Sequence, residues 1–342
     1  MINTLYKLTA PLIVESFYEN IDCHSDNIIV RPEKLSICKA DIRYYFGMRN
    51  AKVLKEKLPL ALIHEACGSV VYDITGKFKA GDQVVMLPNI PGINMQYHEN
   101  YRRDSLFRSS GADGFMQELV SIPQSQVIKF EKMDQNIAAF TEFISVAIHA
   151  VSSYLDRSAG KRNGIKRKIG VWGSGAMGYA VSCVLKYFIP SAEITVIGGS
   201  KAKLDMFSFV NHTCSLSELP DDAEFDDCFE CVGGAQSGNA INQIIDHILP
   251  EGLLLLLGVS EEAVPVNTRM VLEKGITLLG RSRSERSDFI KTIDILDTNE
   301  NIRRRISNLI SGEVEINEVN DIHKAFNQSK IADYKIILNW RI

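Results

Sequence analysis

Two groups of residues in this 342-residue chain have the types and spacing that do chemistry. The first is a set of metal donors in three separate stretches: Cys38 and Asp41 in SICKAD (36–41), His64 and Glu65 in IHEACG (63–68), and Glu142 with His149 in TEFISVAIHA (141–150). Thiolate, imidazole and carboxylate together suit zinc. Spacing alone leaves the matter open, because ligands this far apart meet only in a particular fold. Cys38 also reads as a buried thiol, and Glu65 as a salt-bridged acid. His149 lies seven residues after Glu142 in an apolar, helical-looking run and reads as a packed, hydrogen-bonded histidine rather than a ligand.

The second group is the turn Gly173-Ser174-Gly175-Ala176-Met177-Gly178. It follows an apolar strand (169–172) and opens a helical stretch to Phe188, the context that a dinucleotide fingerprint requires. The first glycine permits the tight turn, the second lets backbone approach a pyrophosphate, and the third lets helix and strand pack closely. The helix N-terminus then offers free N–H groups to phosphate. The strand after it ends Ile197-Gly198-Gly199-Ser200-Lys201, with no acid to bind ribose hydroxyls. Ser200 and Lys201 can instead hold a 2′-phosphate, which favours NADPH. The strand end at Cys231-Val232-Gly233-Gly234 is expected to approach the cofactor.

These groups need a scaffold. Residues 1–150 read as strand-rich, with runs such as NIIVRP (27–32) and SVVYDI (69–74). Residues 88–113 form an irregular lobe without cysteine. After a basic, glycine-containing stretch (161–168), strands at 169–172, 193–197, 227–231, 253–258 and 276–279 alternate with helical segments, the pattern of a parallel sheet covered on both faces. The tail YKIILNW (334–340) is strand-like again. Hydrophobic residues make up 45% of the chain and charged residues 23%, which is ordinary globular composition. A net charge of −4 with no basic block excludes a nucleic-acid reader, and no run is long enough to span a membrane. The N-terminus lacks a basic region followed by an apolar run, so the cytoplasm is the expected compartment, with seven cysteines reduced. Cys228-x-x-Cys231 falls in a strand and reads as core, and Arg303-Arg304-Arg305 as a solvated helix face.

The order Cys38, His64-Glu65, Gly68, Gly81-Asp82, Glu142, His149-Ala150 and then GxGxxG resembles the medium-chain zinc-dependent alcohol/polyol dehydrogenases, nearest the sorbitol-dehydrogenase branch, over nearly the whole chain. The segments SICKADIRYY (36–45), LPLALIHEACG (58–68), FRSSGADGFMQELV (107–120), FECVGGAQSGNAINQIIDHILPEG (229–252) and VNTRMVLEKGITLLG (266–280) carry the resemblance further, to members that act on phosphorylated pentoses. The resemblance implies an α/β fold: a GroES-like β-rich catalytic domain (1–150, completed by 285–342) and a Rossmann domain (151–284). It implies one zinc per chain held by Cys38, His64 and Glu142, with Glu65 a fourth or alternating ligand and Asp41 orienting His64 from behind. It also implies NADPH on Gly173, Ser174, Gly175, Met177, Gly178, Ser200, Lys201 and Cys231.

The implied reaction is reduction of D-ribulose 5-phosphate to D-ribitol 5-phosphate, supplying CDP-ribitol for teichoic acid or capsule. A homodimer is expected, and a cytidylyltransferase is a conceivable functional partner. Two departures from the family matter. The lobe that often holds a second, structural zinc has no cysteine. Ala40 stands where many relatives have a hydroxyl for proton relay, leaving a water, Tyr45 or Glu65. Substrate phosphate needs cations: Arg43 and Arg108 are the first choices, ahead of Lys39, Arg281 and Arg283. The alternatives are a zinc polyol dehydrogenase with an unphosphorylated substrate and a non-catalytic NADPH-binding protein.

Overall fold

Punctuated β-branched runs fold as strands because their branched side chains pack well on a pleated, half-buried surface. A computed structural model describes residues 1–158 and 167–342. Residues 161–166 of the basic stretch lie outside the described residues. In chain order the strands are β1 (Ile2–Ala10), β2 (Ile13–Asn20), β3 (Asn27–Ser36), β4 (Leu60–Ala61), β5 (Glu65–Tyr72), β6 (Gln83–Met86), β7 (Asn89–Ile90), β8 (Leu106–Phe107), β9 (Val120–Pro123), β10 (Val127–Lys129), β11 (Lys168–Trp172), β12 (Glu193–Gly198), β13 (His212–Ser215), β14 (Asp227–Glu230), β15 (Leu253–Leu256), β16 (Thr277–Gly280), β17 (Ile310–Ile316) and β18 (Lys335–Trp340). The α-helices are α1 (Lys39–Tyr45), α2 (Ala51–Lys57), α3 (Gln135–Ala139), α4 (Thr141–Ser158), α5 (Ala176–Phe188), α6 (Lys201–Leu204), α7 (Ser237–His247), α8 (Thr268–Lys274), α9 (Arg286–Thr298), α10 (Glu300–Ser307) and α11 (Val319–Ile331). The chain divides into two compact units, Met1–Ser145 with Arg283–Ile342, and Val146–Ser282.

The first unit is built on a sheet ordered β10-β6-β5-β3-β18-β17, with β9 also pairing β3 and a smaller sheet β2-β1-β4. The tail strand β18 runs antiparallel to β3 and parallel to β17, so residues 335–340 complete the sheet begun by residues 27–36. Its core includes Val30, Leu35, Ile63, Phe115, Phe326, Ile336 and Leu338, all buried. The strand expected at 69–74 begins earlier, at Glu65, and ends at Tyr72. The Asp73 carboxylate accepts from the N–H groups of Thr75 and Phe78, both at 2.9 Å, and this side-chain turn stops the strand.

The second unit is a six-stranded parallel sheet ordered β13-β12-β11-β14-β15-β16. Strands pair outward in both directions from β11, so the order reverses between β11 and β14, the crevice where such sheets bind ligands. The expected α/β class with a doubly wound sheet is thus the one observed. Strand β13 was absent from the sequence reading; its residues, His-Thr-Cys-Ser, are polar because it forms an exposed edge. Cys228 and Cys231 are both buried thiols without a disulfide. The reading of Arg303 as merely solvated needs correction. Its Nη1 donates to the carbonyls of Leu296 (2.6 Å) and Asp297 (2.9 Å), satisfying acceptors near the C-terminal end of α9.

Candidate active site

In the first unit, the end of β3 delivers Cys38 to the N-cap of α1. Asp41, three residues on, accepts from the Cys38 backbone N–H at 3.0 Å, and the Cys38 sulfur accepts from the N–H of Asp41, a reciprocal cap that fixes the first turn. Asp41 has no exposed surface, and its other oxygen accepts from Ile63 N–H (3.1 Å) and Ser109 Oγ (2.6 Å). The same oxygen lies 3.6 Å from His64 Nδ1. One carboxylate therefore ties the backbone of Cys38 to that of the residue just before His64. Ile63 is itself unusual: φ is +67°, a left-handed conformation that a β-branched residue adopts only at a cost of about 1–3 kcal/mol. Its buried N–H and C=O both have partners, Asp41 and the N–H of Phe115 (2.7 Å), which hold the left-handed turn immediately before His64.

The donor atoms of Cys38, His64 and Glu65 all lie within 4.8 Å of one another. Glu142, in the first turn of α4, brings Oε2 to 4.0 Å from His64 Nε2. His149, two turns along α4, stands in the second unit, outside that group. Donors around a tetrahedral zinc are roughly 3.5 Å apart, so modest side-chain adjustment would bring this set to one ion. The electrostatics agree. Burial disfavours charge on His64, yet Asp41 and Cys38 outweigh it and raise the imidazole well above its ordinary value. Burial pushes Asp41 up, but His64 and the hydrogen bonds from Ser109 and Cys38 hold it below the usual carboxylate range. Glu142 is pushed up to about 7, first by burial and then by Glu65 and Asp41 against the pull of His64 and Lys335. Among the described residues nothing hydrogen-bonds to the buried Glu65 Oε2. A thiol, an imidazole and two acids crowded out of water, with one oxygen unsatisfied, fit a divalent cation.

Lys335, which the sequence reading did not single out, belongs to this cluster. From β18 its buried ammonium donates to Glu65 Oε1 at 2.5 Å and sits 4.4 Å over the Phe143 ring. No local motif marks it; only the return of the tail beside β3 places it there. The Tyr45 ring stacks on Phe326, and its hydroxyl bonds His323 Nδ1 at 2.5 Å. Of the suggested phosphate ligands, Arg43 lies in the last turn of α1. Arg108 donates from Nη1 to the Asp113 carbonyl (3.1 Å) and stacks 5.5 Å from the Phe115 ring, with burial lowering its pKa to about 10 against Asp113.

In the second unit the glycine turn is sterically specified. Gly173 has φ +117°, and a Cβ there would meet the Cys231 carbonyl oxygen at 2.8 Å. A Cβ on Gly178 would fall 1.8 Å from the Gly173 carbonyl oxygen, whereas one on Gly175 would meet nothing within 4 Å. The first and third glycines are demanded by the protein's own packing. The second, at the N-cap of α5, leaves a cradle that a side chain would fill, beside a helix end with no side-chain cap. Ser174 is buried and Met177 half-buried in the same turn. At the end of β12, Ser200 caps α6 by accepting from Lys203 N–H (3.4 Å), and Lys201 is exposed. Glu230, which no sequence motif marks, lies close by. Its buried carboxylate accepts from the N–H groups of Val232, Gly233 and Gly258, at 3.0, 3.0 and 2.9 Å, and fixes the loop after β14 next to Gly173.

Residues 24–132 match the family described as alcohol dehydrogenase GroES-like domain. The chain is similar end to end to ribulose-5-phosphate reductase of Bacillus spizizenii (42% identical, 100% of each chain) and to ribulose-5-phosphate reductase 1 of Staphylococcus aureus (43% identical, 99% of each). Among solved structures, S. aureus TarJ in complex with NADPH superposes with a TM-score of 0.89 at 39% identity over the whole of both chains. L-idonate 5-dehydrogenase of Escherichia coli, 21% identical with a TM-score of 0.85 over 99% of both chains, shares the fold. The chain belongs to the medium-chain alcohol/polyol dehydrogenase family, in the branch that contains the ribulose-5-phosphate reductases.

Proposed function

We propose that this protein is a zinc-containing, NADPH-dependent reductase that converts D-ribulose 5-phosphate to D-ribitol 5-phosphate. The observation that carries the reading is the convergence of Cys38, His64 and Glu65 within 4.8 Å in a chain 42% identical over its whole length to a ribulose-5-phosphate reductase. The balance is one ketone, one NADPH and one proton giving one secondary alcohol and one NADP⁺; the hydride goes to C2 and the proton to its oxygen. Zinc, when bound, supplies Lewis acidity toward the C2 carbonyl, and NADPH supplies the hydride.

The rest is the work of the chain's own side chains. Cys38, His64 and Glu142 would hold the metal, with Glu65 available as a further carboxylate. Asp41 fixes the imidazole by facing its Nδ1, which leaves Nε2 for the ion. Lys335 donates to Glu65 in a site shielded from water. Gly173, Gly175 and Gly178 with the N-terminus of α5 receive the pyrophosphate, and Ser200 with Lys201 receives the 2′-phosphate. Ala40 has no proton to pass on and Tyr45 bonds His323, so Glu65 or a water is the more direct proton source.

The reading extends to a cytoplasmic homodimer whose product feeds a cytidylyltransferase making CDP-ribitol for teichoic acid or capsule. Among the described residues no helix is long and apolar enough to cross a membrane. The test is NADPH oxidation against ribulose 5-phosphate, ribulose and xylulose, with and without chelator. Turnover that is selective for the phosphorylated ketose and abolished by chelator supports the reading. Preference for a free ketose points to an ordinary polyol dehydrogenase, and absence of any ketose-dependent oxidation to a non-catalytic protein.

A further inference from the structure

Arg283 opens the returning segment of the first unit with φ +59°, a conformation that L residues other than glycine rarely adopt. The next residue, Ser284, is buried and hydrogen-bonds through Oγ to Ser145 Oγ (2.6 Å), which also donates to the Glu142 carbonyl (2.6 Å). The unusual turn is thus pinned to the stretch of α4 that carries a metal donor. The Arg283 guanidinium lies over the Phe107 ring at 4.7 Å, and that ring packs 5.2 Å from the His64 imidazole. Among the described residues the half-buried guanidinium has no hydrogen-bond or ion-pair partner. Burial lowers its pKa and the nearby Glu142 offsets this only in part, so the group still carries a desolvation cost. Arg108, by contrast, already donates to a carbonyl.

We propose that Arg283, stacked on Phe107, is the phosphate anchor of the substrate and sets the preference for phosphorylated over free ketoses. The inference rests on the function proposed above and names the residue that recognises its substrate. A guanidinium has five donors in a planar fork that matches a phosphate face, and an aromatic shelf holds that fork in one plane. The reach is suitable. The two ring steps put Arg283 no more than about 10 Å from His64, and with bonds of ~1.5 Å the C2 oxygen and the phosphorus of an extended pentulose 5-phosphate are roughly 7 Å apart.

The experiment is steady-state kinetics of the zinc-loaded, full-length protein on ribulose 5-phosphate and on ribulose, with inorganic phosphate as a competing anion. In Arg283→Gln the ratio of kcat/KM between the two ketoses should fall roughly 10- to 100-fold, mainly through KM for the phosphorylated one. Inhibition by inorganic phosphate should weaken in parallel. Arg304→Gln, a cation on the exposed face of α10, should keep the wild-type ratio. If Arg283→Gln does not fold, Arg283→Lys keeps the charge without the fork and should still lower the ratio. An unchanged ratio, or equal losses on both ketoses, overturns the proposal while leaving the reductase activity standing. A wild-type enzyme with no preference for the phosphorylated ketose instead overturns the proposed function, and the anchor with it.

Discussion

Replacing Lys335 with methionine isolates what the tail strand contributes to the site. Lys335 and Glu65 are both nearly inaccessible, 6% and 0% exposed at their side chains, and 2.5 Å apart. Lys335 bonds Oε1, and the Glu65 Oε2 atom has no hydrogen-bond partner among the described residues. Methionine keeps an unbranched stem of similar length and removes the ammonium, and with it both the ion pair and the cation over the Phe143 ring. The carboxylate is then stranded in a low-dielectric site, a loss that typically costs about 3–5 kcal/mol. For a chain of 342 residues the entropy of unfolding is on the order of 0.7 kcal/mol per degree, so Tm should fall by roughly 4–7 °C. Scanning calorimetry on metal-stripped protein measures this without interference from the ion. The double variant Lys335→Met/Glu65→Gln discriminates causes: with no charge left to strand, it should recover most of the loss. A single variant that melts within about 1 °C of wild type, or a double variant that is no better than the single, would refute the electrostatic account.

Three further outcomes are expected. Cys38→Ala should lose zinc, measured by atomic absorption after dialysis, together with ketose-dependent NADPH oxidation; full turnover would remove Cys38 from the ligand set. Asp41→Asn should weaken zinc about 10- to 100-fold in a chelator competition, since the amide cannot replace the anion facing His64 Nδ1. Lys201→Glu should raise KM for NADPH at least about tenfold while leaving NADH much less affected, because the new carboxylate repels a 2′-phosphate and not a hydroxyl; equal effects on both cofactors would dissociate Lys201 from the phosphate.

What could be read in advance follows from how local each feature is. The glycine turn was legible because its three roles are met within six residues, and the flanking strand and helix declare themselves by their apolar pattern. The parallel strands were legible where buried runs such as Leu253–Leu256 stand out, whereas β13 was missed because an exposed edge strand of His, Thr, Cys and Ser carries no apolar signal. Donor types at Cys38, His64, Glu65 and Glu142 were visible, but spacing alone could not show that they meet, since residues over 100 positions apart converge only through the fold; the family resemblance supplied that expectation. Lys335 and Glu230 were invisible for related reasons: a lysine in a tail strand looks like a surface residue until β18 pairs with β3, and a buried acid that binds three backbone amides has no sequence mark. Ile63 gave no warning of its left-handed backbone, which arises from the tertiary bonds on either side of it.

Asp41 binds the Cys38 and Ile63 amides and the Ser109 hydroxyl through one carboxylate. Three stretches of chain that are far apart in sequence therefore share a single anchor. A change at this one position would be felt in all three at once, so it should tolerate replacement far less well than an ordinary polar residue.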